Sequence, residues 1–126
     1  MGSLVVPDDA IAAAISKDAI LLQQTRQYKQ ANASLPLIWQ RLVLPALLAK
    51  LRCAPAVPVS CSEQTLLIDL QTIVKGREQC QRVLHVLCRY DYLRRGEAGD
   101  FVAGTRLWTD VNAARMMKAL NVKLSD

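Results

Sequence analysis

The chain has 126 residues, of which 52% are hydrophobic and 21% are charged, and its formal net charge is +5. This composition excludes a disordered chain and fits one folded domain. No apolar run reaches the ~18 residues needed to span a membrane. A secretory signal begins with basic residues, whereas the N-terminal segment here carries Asp8 and Asp9. We therefore expect a cytoplasmic protein with no membrane partner. The positive charge permits a polyanionic partner.

A long helix is predicted at the start of the chain. Pro7, Asp8 and Asp9 form a typical helix start, and Ala10–Gln30 contains neither glycine nor proline. Its apolar residues fill two neighbouring stripes, which is more than one packing face requires. Either the helix packs across its own domain or it pairs with a second copy. We take residues 1–33 as a possible dimerisation element and expect a homodimer, with the C-terminal helix also at the interface.

The segment Asn32–Pro36 is predicted to break this helix, with Ser34 as the N-cap of the next one. Leu37–Arg52 is apolar on most sides and is predicted to be the central buried helix, kinked at Pro45. Residues 34–126 would then form the second unit. Five basic residues lie between residues 19 and 62 with no acid among them, either as a solvated face or as phosphate contacts: Arg26, Lys29, Arg41, Lys50 and Arg52.

Two further helices are predicted beyond the proline-containing segment Ala54–Val59. The first covers Glu63–Val74 with Ser60 or Ser62 as its cap, and Lys75-Gly76 forms the turn. The second covers Gly76–Tyr90 and is amphipathic. Its apolar face consists of Cys80, Val83, Leu84, Leu87 and Cys88. Its opposite face consists of Arg77, Gln81, Arg82, His85 and Arg89.

The pattern then changes to that of a hairpin. Tyr92–Arg95 and Phe101–Trp108 are predicted strands, joined by the glycine-containing loop Gly96–Asp100. A last helix is predicted from Thr109 or Asp110 to Leu120. The fold is therefore expected to be mainly α with a small β-hairpin. The order of elements is that of a winged helix-turn-helix with an extra N-terminal helix.

Three segments of this region resemble the DNA-binding domain of IclR-type transcription regulators. They are RVLHVL at residues 82–87, YLRR at residues 92–95 and GDFVAGTRL at residues 99–107. The same pattern is similar to the winged-helix dimerisation segment of small-molecule O-methyltransferases, which does not bind DNA. The resemblance implies a recognition helix followed by a two-stranded wing. That family usually has glycine where this chain has Asp91.

Two functions remain open. In the first, the protein is a small DNA-binding transcription regulator. Arg77, Gln81 and Arg82 would reach base edges from the recognition helix, and His85 would lie on the same cationic face. The phosphate contacts would be Lys75, Arg94, Arg95 and Arg106. In the second, the same domain is a protein-interaction or dimerisation module, and the arginines only solvate its surface.

Catalytic patterns are scarce in this sequence. His85 is the only histidine, and no nucleophile or paired acid is evident beside it. The chain has no glycine-rich phosphate-binding loop. Its four cysteines include no C-x-x-C pair, so we expect free buried thiols, with a disulfide or a metal site as the alternative. We expect no enzyme activity, no cofactor and no metal.

Overall fold

The computed structural model describes Ala14 and residues 26–55, 59–96 and 98–121. This part of the chain forms six helices and one two-stranded antiparallel sheet. The helices are α1 (Arg26–Leu42), α2 (Leu44–Leu51), α3 (Glu63–Leu70), α4 (Arg77–Arg89), α5 (Thr105–Thr109) and α6 (Ala113–Ala119). The strands, between α4 and α5, are β1 (Leu93–Arg95) and β2 (Phe101–Ala103). The expected mainly helical fold with a small hairpin is confirmed.

Helix α1 is the element around which the core is built, and it packs against α3, α4 and β2. Its buried face consists of Ala31, Leu35, Ile38, Trp39 and Leu42, which recur at helical spacing. Trp39 is the bulkiest of the fully buried side chains, a group that also includes Tyr92 and Phe101 from the hairpin region. The positions of α3, α4 and β2 are therefore set by the apolar side chains that they pack against this face of α1.

The predicted break at Asn32–Pro36 is wrong, because α1 runs through it with Pro36 inside the helix. Ser34 is not an N-cap: its side chain is buried and donates a hydrogen bond to the carbonyl of Ala31, 2.6 Å away. An internal proline costs a helix about 3 kcal/mol. The four large side chains that α1 buries around it stabilise the fold by about 1.5–3 kcal/mol each. Burial outweighs the proline, and the boundary expected at residues 33 and 34 lies within α1.

The predicted single helix Leu37–Arg52 is divided between α1 and α2. The two helices meet at Val43 with a bend of 40°. Pro45 lies in the first turn of α2, where a missing N–H breaks no helical hydrogen bond. The segment is also not uniformly buried, because α2 contains no buried residue and Leu51 is 58% exposed. The central buried helix is α1, and α2 covers its end.

Helices α3 and α4 lie close to their predicted positions. The backbone N–H of Thr65 donates to the Ser62 hydroxyl, which makes Ser62 the N-cap of α3. Helix α3 ends at Leu70, four residues before the predicted end, and a turn leads to Gly76. In α4, Cys80, Val83, Leu84, Val86 and Leu87 are buried. Cys88, expected in the core, is only half-buried.

The hairpin is shorter than predicted. β1 and β2 pair antiparallel, with Leu93 opposite Ala103 and Arg95 opposite Phe101. The backbone N–H of Gly96 donates to the carbonyl of Asp100 and closes the expected loop. The predicted second strand Phe101–Trp108 is wrong beyond Ala103, since the chain turns into α5 and buries Leu107.

A third extended segment, which sequence reasoning did not find, joins the hairpin at Cys61. The Cys61 N–H donates to the Phe101 carbonyl over 2.9 Å, and the Phe101 N–H donates to the Cys61 carbonyl over 2.8 Å. Cys61 precedes α3, so this bridge ties the start of that helix to the outer edge of β2. It also brings Glu63 towards the side chains of the hairpin.

The base of the hairpin depends on a close backbone contact. Asp91 has a φ of 62°, in the left-handed region, and its carbonyl accepts a hydrogen bond from the N–H of Arg106. A Cβ atom on Gly104 would lie 2.2 Å from that carbonyl oxygen, which is far too close. Glycine is therefore required where the chain passes from β2 into α5.

The C-terminal helix begins later than predicted. Asn112, and not Thr109 or Asp110, is the N-cap of α6, since its side chain accepts a hydrogen bond from the N–H of Arg115. The N–H of Asn112 itself donates to the carbonyl of Ala14. Apart from Ala14 and residues 26–30, the predicted helix Ala10–Gln30 lies outside the described residues.

No single helix within residues 26–55, 59–96 and 98–121 has both the length and the apolar content to cross a membrane. The bent pair Lys29–Leu42 and Leu44–Leu51 reaches the required length and apolar content only when the two segments are counted together.

Replacing Gly104 tests the close contact at the base of the hairpin. Gly104→Ala is expected to lower the free energy of unfolding by about 1–3 kcal/mol, the usual cost of forcing extra atoms into a packed site. Urea denaturation followed by circular dichroism measures this change. Gly96→Ala is the matched control, because its Cβ would meet its nearest neighbour at 3.5 Å. Equal stability of the two variants would contradict the close contact between Gly104 and the Asp91 carbonyl.

Candidate nucleic-acid interface

The polar face of α4 is exposed as the sequence predicted. Arg77, Gln81 and His85 follow one another at four-residue spacing, and Arg82 and Arg89 lie beside them. All five side chains are exposed, whereas the opposite face of α4 is buried against α1 and α3. The helix therefore presents one continuous polar surface of about three turns to solvent.

Three cations near the start of this surface have no ion-pair partner among the described residues. Within the described part of the chain, Lys75, Arg77 and Arg82 form no ion pair and no side-chain hydrogen bond. The guanidinium of Arg89 lies 5.7 Å from the centre of the Tyr90 ring. Because their donors are unoccupied, Lys75, Arg77 and Arg82 offer three positive charges to an anionic partner.

The arginines of the hairpin are different, because each is held by a carboxylate. Arg94 donates two hydrogen bonds to Asp91, of 2.6 Å to Oδ1 and 2.9 Å to Oδ2. It also donates to the Thr105 hydroxyl. The hydrogen bonds from Arg94 hold the pKa of the Asp91 carboxyl below its usual value, and Asp91 raises the pKa of Arg94. Both groups therefore stay charged and paired at neutral pH.

Arg95 is held by a residue that is distant in sequence. Its guanidinium donates to Glu63 Oε1 over 2.7 Å and to the carbonyl of Gly99 over 3.2 Å. The same group lies over the Phe101 ring, 4.5 Å from its centre. A cation above an aromatic face is attracted by the ring as well as by the carboxylate. Three contacts thus position the Arg95 guanidinium although its side chain is 57% exposed.

Arg106 does not lie on a hairpin strand, contrary to the prediction. It belongs to α5, and its guanidinium is 3.9 Å from Asp110 Oδ2. The same carboxylate oxygen accepts a hydrogen bond from the buried Tyr92 hydroxyl. Burial, followed by the bond to Asp110, raises the pKa of Tyr92, so the phenol stays protonated. Arg106 therefore belongs to a structural cluster at the hairpin base.

A cleft of about 540 Å³ separates α4 from the hairpin. It brings together four of the predicted site residues, namely Gln81, His85, Arg94 and Arg95, over a floor that includes Leu84 and Phe101. Arg82 lies next to it, in a shallow depression shared with Gln81, His85 and the carboxylate of Glu78. The other predicted residues, Lys75, Arg77 and Arg106, do not line the cleft.

Glu63 is the residue at this cleft that sequence reasoning missed. It lines the cleft and pairs with Arg95, although 32 positions separate the two residues. No local pattern relates the first residue of α3 to the second half of a hairpin strand. The one available signal was the alternation around Cys61, which was too short to predict a strand.

The four cysteines carry free thiols. Cys61 and Cys80 are buried as expected, Cys88 is half-buried, and Cys53 is exposed, so the expectation of burial is wrong for Cys53. Burial raises the pKa of the thiols of Cys61, Cys80 and Cys88. In the described segments, no group of three or more His, Cys, Asp or Glu side chains has an arrangement that could hold a metal ion.

Comparisons with protein-family models, with curated proteins and with solved structures found no match to this chain. The resemblance to IclR-type regulators therefore stays a prediction.

Replacing Asp91 tests its pairing with Arg94. A carboxyl whose pKa is lowered by folding stabilises the fold above its unfolded pKa, and this stabilisation is lost as the pH falls through the folded pKa. Asp91→Asn keeps a residue that tolerates a left-handed backbone but removes the charge. Between pH 6 and about pH 3, unfolding free energy is expected to fall less for this variant than for the wild type. Urea titrations at each pH measure the unfolding free energy of the variant and of the wild type. Identical pH profiles for the two proteins would contradict the pairing of Asp91 with Arg94.

Proposed function

We propose that the protein is a small duplex-DNA-binding protein, a transcription regulator, that uses a winged helix-turn-helix. In this proposal α4 is the recognition helix and the β1–β2 hairpin is the wing. The order helix, extended segment, helix, turn, helix and hairpin supports this assignment. The bridge between Cys61 and Phe101 adds to it, since it joins the segment before α3 to the edge of β2.

The observation that carries the proposal is the unpaired positive charge on an exposed helix. An α-helix fits the major groove of DNA, where arginine and glutamine side chains form paired hydrogen bonds to guanine and adenine. Arg77, Gln81 and Arg82 lie on the exposed face of α4, and Lys75 precedes it. Since Lys75, Arg77 and Arg82 have no carboxylate partner in the described part of the chain, phosphates or bases need not displace one.

In this arrangement two groups of polar side chains have different roles. Arg77, Gln81 and Arg82 read base edges, while Lys75 at the turn and Arg94 and Arg95 on the hairpin contact phosphates. Arg106 is a weaker candidate than the sequence suggested, because it lies in α5 beside Asp110. His85 lies between the two groups, at the wall of the cleft.

Two observations favour the second function, a protein-interaction module. The hairpin arginines are paired with Asp91 and Glu63, so the wing carries little net positive charge. Ile68 and Ile73, in and after α3, are 57% and 47% exposed. Contiguous apolar patches, unlike single exposed residues, are typical of surfaces that bind proteins. DNA binding is preferred because Lys75, Arg77 and Arg82 form no ion pair among the described residues and so remain available to phosphates and bases.

Binding of duplex DNA should depend strongly on salt. Each phosphate that a cation neutralises contributes about −0.9 to the slope of log affinity against log salt. Fluorescence anisotropy with a labelled duplex of generic sequence measures this slope between about 50 and 200 mM salt. Absence of detectable binding at the lowest salt would contradict the proposal and favour the interaction module.

Arg82→Ala supplies the matched comparison in the same assay. A base-reading arginine contributes about 1–3 kcal/mol of discrimination between bases, so this variant should bind different sequences more equally. Lys118→Ala removes the same charge from the exposed surface of α6 and should leave sequence preference unchanged. If the two variants behave alike, α4 is not the recognition helix.

A further inference from the structure

The cleft between α4 and the hairpin contains a cation that three groups position but that only one exposed carboxylate pairs with. The Arg95 guanidinium is positioned by the Phe101 ring below it, by the Gly99 carbonyl and by Glu63. Two of these three contacts come from the hairpin itself. Only Glu63 comes from outside, at the first turn of α3.

The pair between Arg95 and Glu63 is of a kind that exchanges readily. A single hydrogen bond joins the two side chains, which are 57% and 36% exposed. By comparison, Arg41 and Asp69 form two hydrogen bonds, as do Arg94 and Asp91. An exposed pair contributes about 0–1 kcal/mol because water screens both charges. A DNA strand, which carries one negative charge on each phosphodiester, can therefore compete with Glu63.

The opposite wall of the cleft suits the same ligand. Gln81 and His85 project from α4 into the cleft, facing the hairpin wall where Arg95 lies. The imidazole N–H of His85 can donate a hydrogen bond to a phosphate oxygen, as a guanidinium does, which leaves Gln81 to reach base edges. The floor between the walls includes Leu84 and Phe101, an apolar surface of the kind on which a sugar ring can rest. The cleft thus offers donors on two sides and apolar contact below.

We propose that this cleft binds one phosphodiester of duplex DNA, and that Glu63 is an internal competitor for that phosphate. Without DNA, Glu63 holds Arg95 and cancels its charge. When a strand enters the cleft, the phosphate replaces Glu63, while Phe101 and Gly99 keep the guanidinium in place. Glu63 thereby lowers affinity for all sequences equally and raises the relative weight of the base contacts from α4. This inference rests on the proposed function and adds a regulating residue to the same surface.

A double-mutant cycle with the full-length chain tests this inference. Glu63→Gln should bind a generic duplex about two- to fivefold more tightly than the wild type, the factor that corresponds to an exposed ion pair. In an Arg95→Gln background the same change should have little effect, because no guanidinium remains to be released. Fluorescence anisotropy at fixed salt measures all four proteins, and thermal melting verifies that each is folded.

Asp69→Asn is the matched control, since it removes one carboxylate from an arginine pair that lies outside the cleft. It should leave affinity nearly unchanged. If Glu63→Gln gains no more than Asp69→Asn, or gains as much in the Arg95→Gln background, Glu63 acts only through net charge. The inference then fails while the proposed function stands. If none of the proteins binds duplex DNA, the proposed function fails and the inference fails with it.

Discussion

Burial of one face of α1 is the constraint on which the rest of this structure depends. Helices α3 and α4 and strand β2 all pack against that face, so their mutual positions follow from it. The face is continuous through Pro36, because the apolar contacts on either side outweigh the hydrogen bond that proline removes. Since α4 is anchored by its apolar side, its polar side must point to solvent. The hairpin is then fixed beside α4 by Phe101 and by the close approach of Gly104 to Asp91.

This scaffold divides the positive charges into two populations. Lys75, Arg77 and Arg82 form no ion pair with a carboxylate in the described structure, whereas Arg94 and Arg95 are paired. The distinction matters more than net charge, because a paired arginine must exchange one anion for another before it can bind a phosphate. A surface of this kind would bind DNA weakly through the hairpin arginines and more strongly through the cations at α4. We infer that such an order of contacts favours reading of sequence over general attraction to DNA.

The features that sequence reasoning predicted well are local ones. The amphipathic period of residues 76–90 and the glycine-containing loop at residues 96–100 each specify their own structure, and both were found in place.

The errors arose where contacts between residues distant in sequence determine the local structure. Pro36 suggested a helix break because its cost is visible in sequence, while the burial that outweighs it is not. Arg106 was assigned to a strand for the same reason, since the steric contact between Gly104 and Asp91 is invisible in the alternation of residues 101–108. The pairing of Arg95 with Glu63 depends on the bridge at Cys61, which joins segments about 40 residues apart.

The central claim is that the exposed face of α4, together with the hairpin, is the surface that meets DNA. Titration of the isotopically labelled full-length protein with a short duplex, followed by amide chemical shifts in nuclear magnetic resonance spectra, tests it most directly. The account predicts that the largest shifts occur at residues 75–89 and 93–100, and that they diminish as salt is added. Shifts confined to α2 and the neighbourhood of Trp108, or no shifts at low salt, would contradict it.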